Sequence, residues 1–136
     1  MNTPIEIKKK VIAWIEVFEF IGELDETNAD KTFTAIYNSI WDFTWKKLIF
    51  NFSWLRYLNS KSIWYIADIF SNIEDWNWQM FLTNMLDEVK DTLELVWITS
   101  IITTYALESE ALSELWIKDA AAPENTTQLL SENSQD

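Results

Sequence analysis

The chain has 136 residues, 49% of them hydrophobic, so it can form one domain with a sizeable core, and its composition excludes global disorder. Ten basic residues stand against 22 acidic ones, and the net charge of -12 argues against a general nucleic-acid binder, which needs a basic surface. The absence of cysteine and histidine excludes disulfides, iron–sulfur clusters and imidazole chemistry, and one glycine with two prolines disfavours an all-β fold with many tight turns.

The first predicted helix starts at residues 3–6, Thr-Pro-Ile-Glu, which form a capping box with proline at the first helical position. Apolar residues then recur at helical spacing: Ile7, Val11, Trp14, Ile15, Phe18 and Ile21. Gly22 follows the last of them and is predicted to be a left-handed C-cap. The polar stretch 23–30 is predicted to be a loop.

The second predicted helix has Asp30 as its N-cap and is apolar on two sides. One stripe runs through Phe33, Ile36, Ile40 and Phe43, and the other through Tyr37, Trp41, Trp45 and Leu48. A helix that is apolar nearly all round is either central or faces an oligomer partner. The pattern continues to Leu55. Alternation over residues 50–54 is also compatible with a short strand, but a helix kinked near residues 51–53 is favoured.

A third, short helix is predicted over residues 62–70. A long fourth helix is predicted from an apolar pattern that starts at Trp78 and continues to Val96 at helical spacing. Residues 97–105 are rich in β-branched side chains and fit either a buried helix or a strand; we assign a helix because no strand of similar strength could pair with them. A last helix is predicted after Ser109. The fold class is therefore predicted as all-α, a compact bundle of about four to five helices over residues 1–118, with a disordered acidic tail over residues 119–136.

The sequence favours a cytoplasmic protein. Lys8–Lys10 precede an apolar stretch as in a signal peptide, but Glu16 and Glu19 interrupt that stretch. The longest uncharged apolar run, Leu95–Leu107, is shorter than the roughly 20 residues that cross a bilayer.

No enzyme is predicted, and no catalytic residue is assigned. Carboxylate pairs such as 74–75 and 87–88 are present, but nothing in their spacing places one carboxyl in an apolar pocket, and no phosphate-binding loop or nucleophile motif occurs. Helical carboxylates can hold metals, but the di-iron type of site also needs histidine. We therefore expect no metal site and no cofactor.

Charge is distributed unevenly along the chain. Residues 1–61 carry eight basic and eight acidic side chains, whereas residues 62–118 carry two basic and ten acidic ones, a net charge of -8. The acidic side chains Asp87, Glu88, Asp91 and Glu94 share one side of the fourth predicted helix and span about 10 Å. They form either a solvated polar face or a docking surface for a protein with a basic surface. The favoured hypothesis is an acidic inhibitor or immunity protein that acts on a basic, nucleic-acid-handling target without contacting nucleic acid itself.

Nine tryptophans exceed what one small core should need. Trp76 and Trp78 are two positions apart and cannot both face the same core, so Trp76 is a candidate partner contact. Tyr37, Trp41 and Trp45 are candidates for an oligomer interface, which predicts a homodimer. A self-associating structural or assembly subunit is therefore the alternative function.

Basic residues alternate with aromatic ones in the first half of the chain. Lys46, Lys47, Arg56 and Lys61 are interleaved with Trp45, Trp54, Tyr57 and Trp64. This pattern is found in membrane-surface segments and in single-strand nucleic-acid grooves, and a peripheral membrane protein is a further alternative. The simpler interpretation is solubilising charge around a core.

Overall fold

The computed structural model describes residues 5–43, 46–74, 79–115 and 126–129. Strands and helices alternate along most of these residues. The elements are β1 (Glu6–Ile12), β2 (Ile15–Leu24), α1 (Ala29–Ile40), β3 (Lys47–Leu58), α2 (Ser60–Glu74), β4 (Gln79–Thr83), α3 (Asp87–Leu95), α4 (Ile98–Ile101), β5 (Thr104–Tyr105), α5 (Glu108–Glu114) and β6 (Thr126–Leu129).

The strands form one mixed sheet in the order β5-β4-β3-β2-β1-β6. Strands β2 to β5 are parallel to one another, and β1 runs antiparallel to both β2 and β6. Parallel neighbours need crossover connections, which α1 supplies between β2 and β3, and α2 between β3 and β4. The predicted all-α bundle is therefore wrong: the protein has an α/β fold.

Two apolar clusters lie on opposite faces of the sheet. The main cluster joins Phe18, Phe20, Phe50 and Phe52 of the strands to residues of α1, α2, α3 and α4. The helical members that it buries are Phe33, Ile36, Ile40, Ile66, Ile69, Ile73, Val89, Leu93 and Ile98. The smaller cluster joins Ile15, Val17, Ile49 and Phe81 to Ala111 and Leu115 at α5. Four helices thus cover one face, and α5 covers part of the other.

The first predicted helix is wrong because its apolar residues belong to two strands and to the turn between them, where Trp14 lies. Within β2, Val17 is in the smaller cluster and Phe18 in the main cluster, so neighbouring side chains are buried on opposite faces. A strand that is buried on both faces lacks the apolar–polar alternation of a half-exposed strand, and its apolar spacing can imitate a helix. Gly22 lies inside β2 with φ 124° and is not a helix C-cap.

The predicted second and third helices are present as α1 and α2, but the continuation of the second to Leu55 is wrong because α1 ends at Ile40 and β3 follows. The predicted fourth helix is divided: its first part is β4, and its second part is α3. Residues 97–105, assigned to a helix, contain both α4 and the strand β5.

The last predicted helix is α5, with its N-cap at Leu107 rather than at Ser109. Within the tail predicted to be disordered, Thr126–Leu129 form β6 beside β1. The rest of that tail, and Thr3 and Pro4 of the predicted capping box, lie outside the described residues. Among the helices that the structure describes, none is long and apolar enough to cross a membrane.

A buried ion cluster ties the first two strands to the start of β3. Glu16 of β2 is buried, and its carboxylate oxygens lie 3.1 Å from Lys9 Nζ and 2.5 Å from Lys46 Nζ. Lys9 also donates a hydrogen bond of 2.7 Å to Ser39 Oγ in α1. Because an unpaired buried charge is costly, these two lysines allow the carboxylate to remain inside the fold.

Candidate protein-binding surface

The second half of β3 carries exposed side chains on the part of the sheet that α5 leaves open. The contacts of α5 involve the first halves of β2 and β3, through Ile15, Val17 and Ile49. Further along β3, Trp54 and Tyr57 are more than half exposed, and Arg56 is exposed beside them. Leu86, which precedes α3, is also exposed. We call Trp54, Arg56, Tyr57 and Leu86 the β3 surface.

Two irregularities in β3 create this surface. Glu19 pairs with Asn51 but Ile21 pairs with Trp54, so β3 has an extra residue between them. A second extra residue lies between the Gly22–Leu55 and Glu23–Tyr57 pairs. In a regular strand, neighbouring side chains point to opposite faces, whereas an inserted residue re-aims them. Arg56 and Tyr57 are consequently both exposed although they are consecutive.

A side-chain bond holds the first irregularity in place. Asn51 Oδ1 accepts hydrogen bonds from the Ser53 backbone N–H at 2.8 Å and from the Ser53 hydroxyl at 2.6 Å. The other end of the same amide donates to Glu108 of α5 at 2.9 Å, and Glu108 lies 2.8 Å from Lys10 Nζ. One polar network therefore joins the first irregularity of β3 to α5.

Two open grooves meet at Arg56 and Leu86. One is lined also by Glu6, Ile21, Gly22, Ser53 and Trp54, and the other by Glu23, Tyr57, Asp87 and Glu88. Arg56 Nε lies 3.8 Å from Glu23, an exposed and long ion pair that leaves the guanidinium available. The surface thus has an aromatic and cationic centre with a rim of carboxylates.

The chemistry of this surface suits binding to a macromolecule. Tryptophan, tyrosine and arginine are the residues that most often dominate protein–protein interfaces. The grooves are open, whereas small-molecule sites are usually enclosed and bury most of the ligand. The described residues contain no group of three or more acidic side chains placed to hold a metal ion.

A polar network joins the starts of α1 and α2, which follow the carboxyl ends of β2 and β3. Asn59 Oδ1 accepts bonds from the backbone N–H and the hydroxyl of Ser62, at 3.0 Å and 2.7 Å, which caps α2. Asp30 accepts from Tyr65 at 2.5 Å and from Lys61 at 3.0 Å. These bonds, the one from Tyr65 first, lower the pKa of the Asp30 carboxyl below its usual value.

The predicted acidic side chains all lie on α3 and are exposed. Asp87 and Glu88 are in its first turn, where their negative charges interact favourably with the helix dipole, and they line one of the two grooves. Asp91 and Glu94 lie further along the helix, away from the β3 surface. The structure therefore divides the predicted binding face into two parts. Trp76, the aromatic residue predicted with it, lies outside the described residues.

The residues predicted for an oligomer interface have different environments. Tyr37 packs against Phe43 and Tyr65, and its hydroxyl donates a hydrogen bond to Asp68 of α2. Burial and the bond to this carboxylate raise the pKa of Tyr37. Trp41 follows α1 and is 78% exposed, and Trp45 lies outside the described residues. Tyr37 therefore makes contacts within its own chain, between α1 and α2.

Sequence reasoning missed the β3 surface as a site. Trp54, Arg56 and Tyr57 belong to the basic–aromatic pattern, which was interpreted as solubilising charge, a membrane-surface segment or a single-strand nucleic-acid groove. The available signal was two aromatic residues and an arginine within four positions at the end of an apolar run. Its meaning depends on the irregularities of β3, which the sequence does not mark.

Comparisons with known proteins identify this architecture. The STAS domain profile matches residues 6–111. Three solved structures share the fold. The unphosphorylated anti-sigma factor antagonist SpoIIAA is 18% identical, with a TM-score of 0.66 over 80% of this chain and 95% of that chain. An anti-sigma-factor antagonist (STAS) domain protein from Planctomyces limnophilus is 13% identical, with a TM-score of 0.68 over 78% of this chain and 97% of that chain, and phosphorylated SpoIIAA from Bacillus is 18% identical, with a TM-score of 0.60 over 84% of this chain and 99% of that chain. The sequences of curated proteins give no match.

These findings overturn the predicted function. The predicted inhibitor or immunity protein for a nucleic-acid-handling target was based on an all-α bundle and on charge, and its alternatives of an assembly subunit or a membrane-surface protein were based on the tryptophans and the basic–aromatic pattern. The matched family and the α/β sheet support none of these functions. The matched profile spans most of the sequence, from β1 into α5. The chain belongs to the STAS domain family.

Proposed function

We propose that this protein is a non-catalytic regulatory protein that binds an anti-sigma factor and antagonises it in the cytoplasm. The observation that carries the proposal is the β3 surface, where Trp54, Arg56 and Tyr57 are exposed together on one strand. SpoIIAA and the Planctomyces limnophilus protein, which share the fold, are described as anti-sigma factor antagonists. An aromatic and arginine centre is the type of surface that supplies most of the binding energy in protein complexes.

The rim of the β3 surface indicates the chemistry of the partner. Glu6, Glu23, Asp87 and Glu88 line the grooves around Arg56. We expect the partner to present an acidic or aromatic group to Arg56 and basic groups to the rim. The net charge of -12 would then accelerate association with a basic surface.

The test uses anti-sigma factors encoded in the genome that carries this chain. Each would be purified and titrated with this protein by calorimetry, and release of its sigma factor would be followed by gel filtration. Replacing both Trp54 and Arg56 by alanine should weaken binding at least 30-fold, because loss of an interface centre costs about 2 kcal/mol or more.

Trp14→Ala is the control, since Trp14 is also an exposed tryptophan but lies at the β1–β2 turn, at the opposite end of β2 from Trp54. Binding that tolerates the double substitution, or that is lost equally in the Trp14 variant, would contradict the proposed site. If no anti-sigma factor binds, the proposed partner class is wrong.

The homodimer predicted from Tyr37, Trp41 and Trp45 stays a prediction. The exposure of Trp41 supports it, whereas the bond between Tyr37 and Asp68 uses that tyrosine within one chain. Sedimentation of the wild type and of Trp41→Ala would test it.

A further inference from the structure

We propose that the junction between α3 and α4 is a second docking surface, and that it receives a basic amphipathic helix of a partner protein. Four apolar side chains are exposed there: Leu95 (81%), Val96 (46%), Trp97 (74%) and Ile101 (56%). We call these four residues the junction patch. They are close together in the chain, and the patch is separate from the β3 surface.

The backbone of the junction holds Trp97 in a fixed outward position. Its φ of 67° and ψ of 11° are left-handed values that bulky side chains rarely adopt. The Trp97 N–H donates to the Glu94 carbonyl at 3.1 Å, and the Trp97 carbonyl accepts from Ser100 at 3.1 Å. The next residue, Ile98, is buried in the main cluster and anchors the turn. This backbone conformation costs free energy, and the exposed Trp97 ring gains no burial in return. Strained residues of this kind are typical of functional sites.

Charge around the junction patch selects a basic partner over a second copy of this chain. Asp91 and Glu94 are exposed on the α3 turns that lead to the patch, and Lys90 is the only basic residue in the sequence between positions 62 and 117. Two copies joined through this patch would bring the same carboxylates together, in a protein whose net charge is -12. Lysine or arginine beside an apolar stripe would instead face opposite charges.

The size of the patch fits one helix. Four such side chains expose an area on the order of 400 Å². This is about half of the 800 Å² that each partner buries in a standard interface between globular proteins. An amphipathic helix docks through three or four apolar anchors on one of its sides, which matches the number of side chains in the patch.

The test uses two synthetic 18-residue helical peptides as probes. Both carry leucine at helical spacing, and their polar positions are lysine in one peptide and glutamate in the other. We expect the lysine peptide to bind the full chain and to shift the NMR signals of Leu95–Ile101. The glutamate peptide should bind at least tenfold more weakly.

Two variants test the apolar and the acidic part of the surface separately, and a third is the control. Trp97→Gly removes the ring and suits the left-handed backbone, so the protein should stay folded while binding of the lysine peptide falls at least tenfold. The double substitution of Asp91 and Glu94 by lysine should reduce affinity by a similar factor, and the loss should shrink at high salt. Trp64→Ser, at an exposed tryptophan of α2, should leave binding unchanged and controls for non-specific contact with rings.

Several results would overturn the inference. These are equal binding of both peptides, wild-type affinity in the Trp97→Gly variant, or signal shifts spread over the acidic surface without dependence on Trp97. Self-association that disappears in Trp97→Gly would assign the patch to a second copy instead. The Trp54 and Arg56 double variant should bind the lysine peptide normally, so failure here is distinguishable from failure of the proposed anti-sigma site.

Discussion

Single residues of this acidic protein form two kinds of ion pair. Glu16 is buried between Lys9 and Lys46, so its pairing is a condition for folding of the first strands. The pair between Asp30 and Lys61 is exposed and therefore weak in water, but Tyr65 adds a second donor to the same carboxylate. The effect of the exposed bonds on the Asp30 carboxyl is best measured by titrating that carboxyl.

Replacing Tyr65 by phenylalanine should raise the pKa of Asp30 toward its ordinary value of 3.8, because the hydrogen bond from Tyr65 is the largest cause of the lowered pKa. The Phe33 ring stacks on Tyr65 and would stack equally on phenylalanine. A pKa lowered by folding stabilises the protein at pH above the unfolded value, and this contribution is lost as the pH falls through the folded pKa. The stability difference between the two proteins should therefore be present at pH 6 and vanish in strong acid.

Carboxyl-detected NMR titration measures this directly. The control is Asp25 in the same spectra, because its pKa is lowered by bonds from Thr27 and Asn28, which the substitution leaves in place. An unchanged Asp30 pKa in the Tyr65→Phe protein would show that Lys61 alone sets it.

At the scale of elements, the sequence located α1 and α2 but assigned the long strands to helices. The stripe of Phe33, Ile36 and Ile40 located α1 because these residues follow the helical period and are buried in the main cluster. Strand β3 has buried side chains on both faces from Leu48 to Phe52, so this run has no polar side, and the alternation over residues 50–54 was too short to outweigh the helical spacing before it. The alternation of helical stripes with short apolar runs could have indicated a parallel sheet.

The start of α2 gives an element-scale prediction. Asn59→Ala removes the acceptor for the Ser62 N–H and leaves the fully buried Ser62 hydroxyl without its bond. The free energy of unfolding should fall by about 1–2 kcal/mol, the upper half of the range for lost N-caps. Urea unfolding measures the change. Asn59→Asp keeps an acceptor at the same place and should unfold near the wild-type midpoint; a midpoint shifted as far as in the alanine variant would contradict the capping role.

At the scale of the whole molecule, the sheet separates two clusters of very different size. Among the residues that the structure describes, the main cluster has 21 buried residues and the smaller one has six, of which α5 and the residue after it supply Ala111 and Leu115. Candidate binding residues are exposed at the second half of β3, an interior strand of the sheet, and at the junction patch. The sequence could predict that α3 is acidic and exposed, but which side chains lie beside it depends on the order of the strands.

This imbalance predicts that α5 opens before the rest of the fold. Among the described residues, α5 is attached through Ala111 and Leu115, through the ion pair from Lys10 to Glu108 and through the hydrogen bond from Asn51 to Glu108. The first halves of β2 and β3, by contrast, are covered on both faces. In native-state hydrogen exchange, amides of α5 should exchange through a partial opening of lower free energy, and those of β2 and β3 only on global unfolding. Glu108→Gln should accelerate exchange of α5 while the melting temperature changes little, and Glu114→Gln, an exposed charge on the same helix, should not. Equal protection of α5 and β3 would mean that both clusters unfold as one cooperative unit.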